Sequence, residues 1–90
     1  MSGTESIPTQ DVVVHLWSYF KDLAGASQLT VKVPTGSSLE RVLDEVYRRH
    51  PKLRALRQST LLAVGVEYQG ASYGVRPGDE VSLFPPVQGG

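Results

Sequence analysis

The chain has no cysteine among its 90 residues. That absence excludes a disulfide framework, a cysteine-ligated zinc or iron–sulfur centre and a catalytic thiol. Histidine is nearly as scarce. Only His15 and His50 occur, too few and too scattered for the several ligands that a histidine metal site draws on, so no metal is expected. No run of ~18 apolar residues is present, so no membrane-spanning helix and no membrane partner are expected. Neither sign of charge is in excess, since nine Lys and Arg balance nine Asp and Glu. A domain that grips a phosphate backbone is normally basic, so nucleic acid is not an expected partner. The opening MSGTESIPTQ lacks the basic start and apolar stretch of a secretory signal. The expected location is cytoplasmic.

What is present describes one small globule. A chain of this length buries about 60–65% of its unfolded surface, enough for a single core and too little for a deep private pocket. Residues 1–11 are polar, carry Gly, Ser and Pro, and show no periodicity. They read as a flexible arm. From Val12 to Phe20 the composition is β-branched and aromatic, which predicts a strand. Val12, Val14 and Leu16 form its aliphatic, core-facing side; Val13, His15, Trp17 and Tyr19 form a mixed side. Lys21–Ala26 is a connection with room for one helical turn, closed by Gly25. Leu29, Val31 and Val33 alternate with polar residues and predict a second strand, paired with the first as a hairpin.

Ser37 stands three residues before Glu40, the spacing of a capping box. Behind it Leu39, Val42, Leu43, Val46 and Tyr47 follow the stripe of an amphipathic helix. Arg48, Arg49 and His50 suit the negative C-terminus of that helix, and Pro51 stops it. Lys52–Gln58 reads as irregular. The basic group Arg48, Arg49, Lys52, Arg54 and Arg57 reads as a solvated face. Leu61–Val66 is a buried strand, Glu67–Gly70 a turn, Ala71–Tyr73 a short strand, and Arg76–Asp79 a tight turn. Glu80–Phe84 is the last strand, with Val81 and Leu83 inward, Ser82 and Phe84 outward. One amphipathic helix covers one face of a sheet. The pattern therefore predicts an α+β β-grasp domain over 12–84, with a mixed sheet of four to five strands. One main helix packs on one face, and the first and last strands lie side by side.

The chemistry is expected in the segment 85–90, Pro85-Pro86-Val87-Gln88-Gly89-Gly90. Pro-Pro donates nothing to a ladder and fixes φ, so it ejects the chain from the sheet as a stiff extended segment. Two residues without side chains let the backbone enter a narrow channel. The tip is an unhindered carboxylate. Two terminal glycines arise by chance in about one chain in two hundred. No general base, oxyanion hole or phosphate-binding loop accompanies them, and Gly65, Gly70, Gly74 and Gly78 read as turns and a strand glycine.

Gly78-Asp79-Glu80-Val81 followed by Leu83-Phe84-Pro85-Pro86-Val87-Gln88-Gly89-Gly90 resembles the end of the MoaD/ThiS sulfur-carrier family, ubiquitin-like proteins that include the small subunits of molybdopterin synthase. The resemblance runs from about Val12 to Gly90. It takes in Phe20-Lys21-Asp22-Leu23-Ala24-Gly25 and Leu61-Leu62-Ala63-Val64. It implies a carrier whose Gly90 carboxylate is adenylated by a MoeB-type enzyme using ATP and converted to a thiocarboxylate by a sulfur donor system. The tail would then insert into a MoaE-type large subunit and give its sulfur to a cyclic pyranopterin monophosphate. No cofactor is implied on the chain itself. Without cysteine, the Gly90 carboxylate is the one plausible place for carried sulfur. Alternation separately predicts Trp17, Phe84 and Tyr68 on the sheet face away from the helix or at its edge. There the neighbouring first and last strands bring Trp17 and Phe84 into one exposed aromatic patch expected to meet a partner. The resemblance implies hydrophobic partner contacts at matched positions and adds Lys21, where relatives often have arginine. Pro85-Pro86 favours a molybdopterin carrier over a ThiS-like thiazole carrier or one that supplies a modified tRNA base. A ubiquitin-like modifier joined through Gly90 to a lysine shares the same adenylate, and an interaction domain with an inert tail is the remaining alternative.

Overall fold

A computed structural model describes residues 7–86. The elements run β1 (Thr9–Leu16), α1 (Tyr19–Ala24), β2 (Gln28–Pro34), α2 (Leu39–Arg49), α3 (Pro51–Arg54), β3 (Leu61–Val64), β4 (Glu67–Tyr68) and β5 (Glu80–Phe84), with a 3-10 turn at Arg57–Ser59. One five-stranded sheet has the order β2-β1-β5-β3-β4. β1 pairs with β5 in parallel, and the other pairings are antiparallel. This is the expected β-grasp, with α2 as its main helix and two shorter helices beside it.

The expected aliphatic side of β1 is the core. Val12, Val14 and Leu16 are buried with Val31 and Val33 of β2 and Val81 and Leu83 of β5. The stripe Leu39, Val42, Leu43, Val46 and Tyr47 of α2 closes over them. Each such side chain contributes roughly 1.5–3 kcal/mol by leaving water. The guanidinium of Arg49 donates to the Thr30 carbonyl at 3.0 Å, which ties the end of α2 to the free edge of β2.

Several boundaries differ from the sequence pattern, each for a local reason. β1 starts at Thr9, inside the expected arm, because β2 reaches Pro34 and supplies partners for residues 9–11. Asp11 also meets Lys32 at 3.0 Å. β1 stops at Leu16, not Phe20, since the chain leaves the sheet there to bury Phe20 in the core. The helix cap is Ser38, whose hydroxyl accepts from the Arg41 amide. Ser37 instead donates to the Pro34 carbonyl, so the expected Ser37–Glu40 box does not form. Pro51 ends α2 and opens α3, because a first helical position needs no amide hydrogen. Lys52–Gln58, expected irregular, therefore begins in a helix that buries Leu53. Gly65 takes φ +61 and turns the run Leu61–Val66 into a hairpin, so Glu67 and Tyr68 form an edge strand in place of the expected turn. Ala71–Tyr73 is a turn, closed by the Tyr73 amide on the Gly70 carbonyl at 3.1 Å. The only bridge nearby among the described residues is Gly74 with Ser38.

The turn before β5 is as expected. Asp79 donates its amide to the Arg76 carbonyl at 3.0 Å, with Gly78 at φ +90. The Asp79 carboxylate accepts from the Arg76 amide and the Tyr73 hydroxyl, both at 2.9 Å. Residues 87–90, which hold the expected Val87, Gln88, Gly89 and Gly90 contacts, lie outside the described residues, as do residues 1–6.

Leu43 is 1% exposed under the sheet. Leu43→Ala should lower the unfolding free energy by about 2–5 kcal/mol, read from the urea midpoint. On the solvent side of α2, Arg48 and Arg41 grip Glu45 and hold its carboxyl below the usual glutamate value. The stabilisation from a depressed carboxyl is present above the unfolded pKa and is lost as pH falls through the folded one. An NMR titration should place the Glu45 midpoint below the ordinary range, and Arg48→Gln should move it up.

Candidate functional site

Strand alternation puts one side chain of every pair on the helix-free face of the sheet. His15 pairs with Ser82, Ser82 with Ala63, and Ala63 with Tyr68, so these four form one row across the outer face. The next row holds Phe84 and Leu61. Trp17 joins it, because its amide donates to the Leu83 carbonyl at 3.1 Å and prolongs the parallel ladder by one residue. Ser82 and Ala63 are short, and the aromatic rings around them are tall. The result is a concavity of about 430 Å³ lined by Trp17, Ala63, Gly65, Val66, Tyr68, Ser82 and Phe84.

Tyr68 and Phe84 lie with ring centroids 5.8 Å apart. Across the floor Trp17 is 53% exposed, and Val66 at the hairpin tip is 99% exposed. A monomer gains nothing by holding an indole, a phenol and a valine together in water, and contiguous apolar patches are commoner at contact surfaces than elsewhere. A second hollow of similar volume, between Glu67, Gln69, Arg76 and Glu80, is polar. Its Asp79 is already bonded within its own turn.

The sequence-predicted residues divide cleanly. Trp17, Tyr68 and Phe84 come together in one patch. Phe84 is also the last ladder residue of β5, so Pro85 and Pro86 leave the sheet directly from the rim. Lys21 is exposed on α1 and does not line the concavity. Ala63, Gly65, Val66 and Ser82 were missed. Outward positions occupied by Ala and Ser were the available signal for the floor, and a glycine inside an apolar run was the signal for the hairpin tip.

His15 meets Glu80 at 2.7 Å beside the patch. No group of three His, Cys, Asp or Glu residues is gathered for a metal among the described residues. Among the described residues, two groups clearly shifted by their surroundings sit on α2, behind the sheet. They are Glu45 and Tyr47, whose phenol burial pushes up. Among the described residues, no helix is long and apolar enough to cross a membrane.

The family model described as the ThiS family matches residues 14–90. The chain belongs to the ThiS/MoaD family. Among its relatives is the molybdopterin synthase sulfur carrier subunit of Arabidopsis thaliana, 35% identical over 89% of this chain and 83% of that protein. Two solved structures share the fold closely. One is the small archaeal modifier protein SAMP1 of Haloferax volcanii, 25% identical, with a TM-score of 0.80 over 89% of this chain and 99% of that one. The other is a Pyrococcus furiosus protein described as molybdopterin converting factor subunit 1, 26% identical, with a TM-score of 0.79 over 87% and 99%.

Trp17 is the only tryptophan of the chain and is half-exposed. Trp17→Ala should change stability by less than about 1 kcal/mol, read by chemical denaturation. The wild-type indole should be open to acrylamide quenching.

Proposed function

We propose that the chain is the sulfur-carrier subunit of a molybdopterin synthase. The observation that carries this reading is the Phe84-Pro85-Pro86-Val87-Gln88-Gly89-Gly90 sequence leaving the central strand at the rim of an aromatic concavity. The Arabidopsis relative supports the pathway. A free carboxylate is a poor electrophile, so the Gly90 carboxylate first attacks the α-phosphorus of ATP on a MoeB-type activating enzyme and releases pyrophosphate. The resulting acyl-adenylate has a good leaving group. A sulfide equivalent from a donor system displaces AMP and leaves the thiocarboxylate. A MoaE-type large subunit then admits the tail, and the sulfur passes to a cyclic pyranopterin monophosphate.

The division of labour follows from the chain's own chemistry. Gly90 is a covalent substrate rather than a catalyst, and the partners supply the acids and bases. Pro85 and Pro86 hold the root of the tail stiff, and Gly89, without a side chain, suits a narrow channel. Trp17, Tyr68 and Phe84 anchor the partner, and Lys21 offers a point charge from α1. The ammonium of Lys21 gives no bidentate contact of the kind arginine makes.

A second reading is favoured by the likeness to the small archaeal modifier protein. In it Gly90 ends in an isopeptide bond to a lysine. Both readings pass through the adenylate and diverge afterwards.

Intact-protein mass spectrometry after incubation with an activating enzyme, ATP and a sulfur donor separates them. The expected product has one oxygen replaced by sulfur, alkylatable and mapped to Gly90. Higher-mass lysine conjugates lost with Gly90 would establish the modifier instead. Deleting Gly90, or adding one residue after it, should abolish sulfur transfer and leave the fold intact; full transfer by the extended variant would falsify the carrier reading. Trp17→Ala and Phe84→Ala should each weaken binding of the large subunit by about 1–3 kcal/mol, measured by calorimetric titration.

A further inference from the structure

Five described residues have positive φ. Four are glycines, at positions 25, 36, 65 and 78, and the fifth is Ser18, at φ 57 and ψ −141. That backbone conformation borders territory populated essentially by glycine, because Cβ collides with the neighbouring peptide. The chain places glycine at its other left-handed positions and a side chain at this one. The hydroxyl offers no reason for the choice. Ser18 precedes α1 as its cap residue, yet its side chain makes no capping hydrogen bond.

The position explains more than the hydroxyl does. Ser18 joins two side chains of opposite fate: Trp17 is 53% exposed on the outer face, and Phe20 is 1% exposed in the core. The backbone on both sides is pinned. The Trp17 amide donates to the Leu83 carbonyl at 3.1 Å, the Phe20 amide to the Trp17 carbonyl at 3.1 Å, and the Lys21 amide to the Ser18 carbonyl at 3.3 Å. The indole also rests near the His15 ring, with centroids 6.5 Å apart. His15 itself is held by Glu80 at 2.7 Å.

We infer that Ser18 is a positioning residue: its Cβ, held in a conformation suited to glycine, stiffens the exit from β1 and presets the Trp17 indole for the partner. With 53% of the residue exposed, packing alone does not fix the indole, so its orientation depends in part on the backbone that carries it. An L-residue at positive φ has a narrow well, whereas glycine has a broad one. The side chain therefore restricts the swing of the Trp17–Tyr19 link. Burial of Phe20 compensates for the strain. A preset anchor loses less freedom on binding, which appears as tighter association without any contact from Ser18 itself. The effect on affinity rests on the carrier reading, in which Trp17 meets the large subunit. The effect on the indole does not.

Ser18→Gly and Ser18→Ala separate the Cβ from the hydroxyl, and the sole tryptophan reports on its own neighbour. Ser18→Gly should raise Tm by about 2–8 °C as strain is relieved. It should lower the fluorescence anisotropy of Trp17, and it should weaken binding of the large subunit roughly three- to tenfold. Ser18→Ala keeps the Cβ and should leave all three readouts at wild-type values. A merely structural residue would move Tm alone. An unchanged anisotropy in Ser18→Gly overturns the positioning role, as does a Tm that fails to rise. If anisotropy falls and affinity holds, the preset indole is irrelevant to docking and the inference fails at that step. Unchanged binding by Trp17→Ala condemns the docking patch instead, and the anisotropy comparison still decides what Ser18 does.

Discussion

Four consecutive backbone pairs, from Val13 with Glu80 to Leu16 with Leu83, join β1 to β5 in parallel. Nearly everything of functional interest depends on this seam. It places β5 in the middle of the sheet, with β3 on its other side. The root of the tail is therefore gripped from both flanks, and the chain leaves a rigid centre rather than a frayed edge. The seam also sets the register by which Trp17 stands beside Phe84. A slip of one residue would send Val81 and Leu83 to water and Ser82 and Phe84 to the core. The aliphatic alternation that builds the core is thus the same feature that assembles the aromatic patch.

The two faces of the sheet do different work with opposite side-chain choices. Toward α2, branched aliphatic residues fill space to close packing. On the outer face Ser82 and Ala63 leave space unfilled, and Trp17, Tyr68 and Phe84 rise around them. The concavity is an under-filling of the surface, held in shape by the buried core on the opposite face.

Much of this was legible because period and composition agreed. The alternation of Val12, Val14 and Leu16, the helical stripe from Leu39 to Tyr47 and the Pro77-Gly78 turn each carried one unambiguous signal. The errors arose where two residues competed for one role. Ser37 and Ser38 are equally good caps by type, and the Pro34 carbonyl claimed the first. Trp17 to Phe20 looks like strand by composition, but the core needed Phe20 more than the sheet needed a longer β1. Val66 and Glu67 depended on Gly65, whose positive φ converts a run into a hairpin. Trp17, Tyr68 and Phe84 were found from alternation and resemblance. The floor between them was missed because alanine and serine announce nothing on their own. Lys21 had no geometric argument behind it, and the fold places it apart from the concavity.

The central strand has a further meaning in the order of folding. β5 is the last element of the described chain, yet it lies between β1 and β3. His15 and Glu80 meet across that seam though 65 residues separate them. The β1–β2 hairpin and α2 rest on local contacts and are free to form early. The sheet cannot close until its final strand arrives, so completion of this mixed topology waits on a non-local pairing. Until then β1 and β3 each present an unpaired edge open to association with other chains. Completion of the fold and departure of the tail from its surface are therefore one event, because the residue that closes the sheet is followed directly by Pro85.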